Sequence, residues 1–97
     1  MDFTVIKKCG LTQTEFGMLC GVNRVTVNLW YRGKMNPNRH VADRVKRVVS
    51  LLSYAADIGA LPMPKEKDRT KRQEQLAEIL GSTARAKKEA MAAAVTE

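Results

Sequence analysis

Long apolar runs are missing from this 97-residue sequence, and no stretch approaches the roughly 18 residues a membrane-spanning helix needs. The opening MDFTVIKKCG also lacks the apolar core of a secretory signal, which predicts a cytoplasmic protein. Cysteine is scarce: Cys9 and Cys20 stand apart without a CxxC pair, and His40 is the one histidine. A structural zinc site wants a full set of nitrogen and sulfur ligands, so no metal is expected. Both thiols read as reduced, with Cys20 on an apolar helix face. No Ser/His/Asp grouping and no glycine-rich phosphate loop occurs. Hence no catalytic residue, cofactor or small-molecule ligand is expected, and the chain does not read as an enzyme. Aromatic residues make up only 5%, against 44% hydrophobic overall, so the core should be mainly aliphatic.

What the sequence does have is positive charge. Seventeen Lys and Arg against ten Asp and Glu give a formal charge of +7 and a pI near 9.8. That balance favours a polyanionic partner, nucleic acid ahead of an anionic membrane.

The most informative stretch is Gln13 to Gly33, QTEFGMLCGVNRVTVNLWYRG. Thr12 and Glu15 form a T-x-x-E capping box, flanked by Leu11 and Phe16 as a hydrophobic staple. At about 100° per residue, Phe16, Leu19 and Cys20 share one face. Gly17 lies beside that face, in a helix interior where glycine costs roughly 1 kcal/mol relative to alanine. A close neighbour touching the backbone there would explain it. Gly21 ends the first helix, and Asn23 can cap the second. On the second helix Val27 and Trp30 point one way, and Arg24, Val25, Asn28, Leu29 and Arg32 point the other. A solvated face normally carries charged and polar residues; two arginines, an asparagine and two aliphatics suit a surface that reads bases. Arginine can donate bidentately to guanine, asparagine can pair with adenine, and aliphatics can pack on thymine methyls. Two readings stay open for Arg24, a guanine contact or a phosphate contact. Leu29 belongs to the groove-facing surface or, after a small rotation, to the core. Arg32 contacts phosphate or caps the helix. Asn23 and Thr26, in the first turn, are further candidates for DNA-backbone contact.

The segment LTQTEFGMLCGVNRVTVNLWYRGKMNP resembles the helix-turn-helix of the phage repressor and Cro-like family. That family's usual form is Leu-Thr/Ser-Gln-x-Glu-hydrophobic-Ala, then Gly-Val-Ser, then Trp-x-x-Gly-Lys. The resemblance implies an all-α, four- to five-helix DNA-binding domain, acting as a homodimer on a dyad-symmetric double-stranded operator. By position, Gln13 would meet the phosphate backbone and support the second helix. Arg24, Val25, Asn28 and Leu29 would face base edges, and Lys34, Asn36 and Arg39 would meet phosphates. Two positions depart from the pattern: Gly17 stands where alanine is typical, and Tyr31 where a glutamate is frequent.

Around this unit, Asp2 to Cys9 predicts a short first helix ended by Gly10. Asn36 as cap with Pro37 at the first position predicts a long helix from Pro37 to Asp57, with Val41, Val45, Val48, Leu52 and Ala55 on one stripe. Leu61-Pro62-Met63-Pro64 reads as a break, giving a DNA-binding domain over 1–60 and a linker with helical extension over 61–97. In that extension Gly81-Ser82 is a candidate interruption. The segment Lys65 to Arg72 reads as a solvated face or as a source of nonspecific phosphate attraction. The extension itself is left open as a dimerising helix, a flexible basic arm, or both. The expected function is a sequence-specific transcriptional regulator, a repressor by default. The alternative is a protein-interaction module such as an antirepressor or adaptor.

Overall fold

The computed structural model of the chain describes residues 3–63 and 67–95. Five helices and no strand occur among them: α1 Val5–Lys8, α2 Gln13–Cys20, α3 Arg24–Tyr31, α4 Arg39–Asp57 and α5 Arg69–Val95. The expected all-α class is therefore the one adopted. Asp2 of the expected first helix, Pro64 of the expected break and Lys65 of the basic segment lie outside the described residues.

Local signals explain most of the boundaries. The capping box at α2 forms in both directions: Glu15 N–H donates to Thr12 Oγ1 (3.1 Å) and Thr12 N–H to Glu15 Oε1 (2.8 Å). Gly21 ends α2 at φ 75°, in the left-handed region glycine tolerates. Asn23 caps α3, its Oδ1 accepting from Thr26 N–H at 2.9 Å. Helix α1 is shorter than expected, a single turn beginning at Val5.

Helix α4 also corrects the expectation. It starts at Arg39 rather than Pro37, and its cap is Asn38 rather than Asn36. Asn38 Oδ1 accepts from both His40 N–H (3.0 Å) and Val41 N–H (3.2 Å). One side chain thus satisfies two of the orphan donors at the helix start. The expected stripe holds, with Val45, Leu52 and Ala55 buried and Val41 and Val48 packed beside them.

Helix α5 runs unbroken through Gly81-Ser82, where an interruption was expected. A helical glycine costs roughly 1 kcal/mol, but burial on both sides of it favours continuity. Leu76 joins the core, Ile79 and Leu80 pack against it, and Thr83 is only 1% exposed. Asp68 caps this helix, accepting from Thr70 N–H (2.9 Å) and Lys71 N–H (3.4 Å).

The core is aliphatic around α4, as expected, yet the chain's Trp and both Phe gather at one joint. Phe3 stacks on Trp30 (centroids 5.7 Å apart, 26° between planes) and meets Phe16 edge-on (6.1 Å, 88°). These contacts fix α3 against α2 and the turn before α1.

Candidate nucleic-acid interface

The surface of interest is built by how closely α2 and α3 cross. A Cβ placed on Gly17 would lie 2.6 Å from the Val22 carbonyl oxygen and 3.2 Å from Val27 Cγ2. Glycine here lets the chain entering α3 lie directly on α2, the close approach expected from its cost. Val27 and Trp30, 0% and 4% exposed, then hold the inner face of α3 in the core. The outer face is left to Arg24 and Val25, both exposed, with Asn28 and Leu29 half-buried at its edge. Val25 is 66% exposed. Leu29 does not join the hydrophobic cluster, so the core reading of this residue gives way.

Asn28 Nδ2 donates to Gln13 Oε1 at 3.2 Å. The first residue of α2 is thereby tied to the middle of α3, so Gln13 supports the second helix. One amide hydrogen of Asn28 is occupied by that bond, leaving its other hydrogen and its oxygen for an outside partner.

The remaining candidates lie at the two ends of α3. At its start, Asn23 is exposed with its oxygen engaged in the cap, and Thr26 is half-buried. At its far end, Arg32 closes the last turn through its backbone, N–H to the Asn28 carbonyl at 3.0 Å, and its side chain is exposed. Gly33 turns the chain at φ 71°, secured by Lys34 N–H to the Leu29 carbonyl at 2.9 Å. Lys34, Asn36 and Arg39 follow, all exposed, giving this end a cationic rim.

Two groups of residues were not legible as part of this surface. The first is the start of α5. It runs beside the start of α2, and a groove of about 780 Å³ separates them, with Gln13, Thr14 and Arg24 on one side and Lys67 and Arg69 on the other. Arg72 holds α5 in place: Nε donates to Glu15 Oε2 (3.0 Å), and Nη2 donates to Glu15 Oε1 (3.0 Å) and the Gly10 carbonyl (3.2 Å). Burial acts to raise the Glu15 pKa, but the hydrogen bonds from Arg72 and Thr12 outweigh it and hold the carboxyl below the ordinary glutamate range. The charge run at 65–72 was the only sequence signal for this arrangement.

The second is Arg44, whose guanidinium lies over the end of α2; a Cβ on Gly21 would be 2.7 Å from its Nη1. A cation at that end is favoured by the helix dipole. Beneath it, burial pushes the Cys20 thiol up to about 11, with the Arg44 charge opposing weakly. Cys9 is likewise raised by burial, and its Sγ–H donates to the Leu52 carbonyl. Both cysteines are free and buried.

Among the described residues, no group of three or more His, Cys, Asp or Glu is placed to hold a metal ion. No helix there is long and apolar enough to cross a membrane. No protein-family model, curated protein or solved structure matches the chain.

Proposed function

We propose that this chain is a sequence-specific double-stranded DNA-binding regulator of the phage repressor and Cro-like type, with α2 and α3 as its helix-turn-helix. The observation that carries the reading is the outer face of α3. It offers Arg24 and the exposed Val25 beside Asn28 and Leu29, while Val27 and Trp30 bury the opposite side. Cations flank that face at both ends, Arg24 before it and Arg32, Lys34 and Arg39 after it. In a major groove, Arg24 reads guanine O6 and N7, Asn28 pairs with adenine, and Val25 and Leu29 meet thymine methyls. The exposed Arg32, Lys34, Asn36 and Arg39 contact phosphates and fix register without reading sequence.

The acting form in this proposal is a homodimer in the cytoplasm, its two α3 helices in successive major grooves about 34–36 Å apart. Occlusion of a promoter is the simplest consequence, which makes the regulator a repressor. The test is fluorescence anisotropy of a labelled mixed-sequence duplex at two salt concentrations. Affinity that falls steeply with salt is expected; no salt-dependent binding would refute the reading and leave the adaptor alternative. Selection of bound sequences from a random DNA pool should then return a site with dyad symmetry.

A further inference from the structure

Four cationic side chains line the groove between the starts of α2 and α5: Arg24, Lys67, Arg69 and Arg72. Among the described residues that line it, the one carboxylate is Glu15, which Arg72 chelates at 3.0 Å through both oxygens. The Asp68 carboxylate, between Lys67 and Arg69, caps the first turn of α5 and is not among the residues that line the groove. Arg24, Lys67 and Arg69 thus line the groove as cations, beside the neutral donors Gln13 and Thr14.

We propose that this groove seats the sugar–phosphate backbone of one DNA strand, with Lys67 and Arg69 each gripping a phosphate. The inference rests on the DNA-binding reading and adds a second wall to its contact surface. Size and continuity point to a strand rather than a free anion. A space of about 780 Å³ is far larger than one phosphate, and it opens onto Arg24, the first residue of the base-reading helix. A strand leaving the major groove at that end passes between the two helix starts. The α5 wall is held at its working distance by the bond from Arg72 to Glu15 and Gly10, one turn beyond Arg69. Arg72 is thus a positioning residue, and Lys67 and Arg69 are the contacting ones.

The test compares two variants that lose the same charge. K67Q/R69Q removes the proposed grip at exposed positions that bury nothing. K87Q/K88Q removes two cations about 30 Å further along α5 at 1.5 Å per residue. Binding of a labelled, mixed-sequence two-turn duplex is measured against salt for both variants and the parent chain, with circular dichroism to confirm the fold. Each phosphate contact contributes about 0.9 to the slope of log affinity against log salt, so K67Q/R69Q should lower its magnitude by about 1.8. At 0.1 M salt that corresponds to roughly 60-fold weaker binding if the curves converge near 1 M. K87Q/K88Q should leave the slope nearly unchanged. An unchanged slope in K67Q/R69Q, or equal losses in both variants, overturns the proposed grip while the parent's salt-dependent binding stands. Failure of the parent chain to bind in a salt-dependent way would overturn the DNA reading, and the grip with it.

Discussion

Replacing Gly17 with alanine is expected to destabilise the protein, although alanine is much the better helix former. On propensity alone the change should stabilise α2 by roughly 1 kcal/mol. Against that stands the new Cβ, 2.6 Å from the Val22 carbonyl oxygen and 3.2 Å from Val27 Cγ2. The first neighbour is backbone, fixed by Val22 N–H to the Gly17 carbonyl at 2.8 Å. The second belongs to a side chain with no exposed surface. Neither can swing aside, so relief requires α3 to lift from α2. Overpacking of this kind costs about 1–3 kcal/mol, and an immovable backbone oxygen argues for the upper end. The net loss is then about 2 kcal/mol, or a fall in Tm on the order of 8–16 °C for a domain of this size. Thermal denaturation followed by far-ultraviolet circular dichroism measures it. An unchanged or raised Tm would refute the claim that glycine is required by the crossing. DNA affinity should fall in the same variant, because the Gln13–Asn28 hydrogen bond spans that crossing.

Arg72→Met should cost about 2 kcal/mol in urea denaturation, by leaving the 8%-exposed Glu15 carboxylate without its cation. Because that carboxyl is held below the ordinary value of 4.5, the unfolded chain takes up its proton first as pH falls. The parent therefore loses stability on acidification through the depressed pKa, and Arg72→Met should flatten that loss. A parallel pH profile would count against the ion pair. Neither thiol should react with Ellman's reagent at neutral pH until the protein unfolds. For Cys20 the folded pKa is the higher one, so its contribution to stability is full below 9.0 and lost as pH rises toward about 11. Rapid native-state labelling would contradict its burial. Arg24→Ala should weaken binding to a selected site by about 1–3 kcal/mol and relax preference at one base pair per half-site; an equal loss on random DNA would show a phosphate contact instead. Gln13→Ala and Asn28→Ala should be non-additive in DNA binding by at least about 0.5 kcal/mol, and strict additivity would deny that the two residues act together.

The parts of the fold that the sequence made legible are those decided within a few residues. Thr12 with Glu15, Gly21 and Asn23 each act on backbone groups no more than four positions away, and each appears as expected. Asn36 and Asn38 show the limit of that logic. Both precede the long helix closely enough to cap it, and only the reach of Asn38 Oδ1 to two donors separates them. Gly81 shows tertiary packing overriding propensity, since Leu76 and Thr83 are buried on either side of it. The outer face of α3 was visible because a helix repeats every few residues, so Val27 and Trp30 predicted its opposite side. The groove wall was not. Lys67 and Arg69 come beside Arg24 only through a contact between residues 57 positions apart, and no local pattern encodes such a pairing.

That same separation bears on how the molecule is made. A ribosome delivers the N-terminal part first, so Glu15 emerges well before Arg72, and for that interval its carboxylate has only the α2 cap to answer it. Closing a loop of 57 residues costs about 3.6 kcal/mol in chain entropy, before a constant term. Burial of Leu76, with Ile79 and Leu80 packed against the core, helps offset this cost. The final helix is thus made after the four that precede it. A nascent chain with α1 to α4 already packed holds the outer face of α3 in outline, and it gains the second wall of the groove only once α5 has docked.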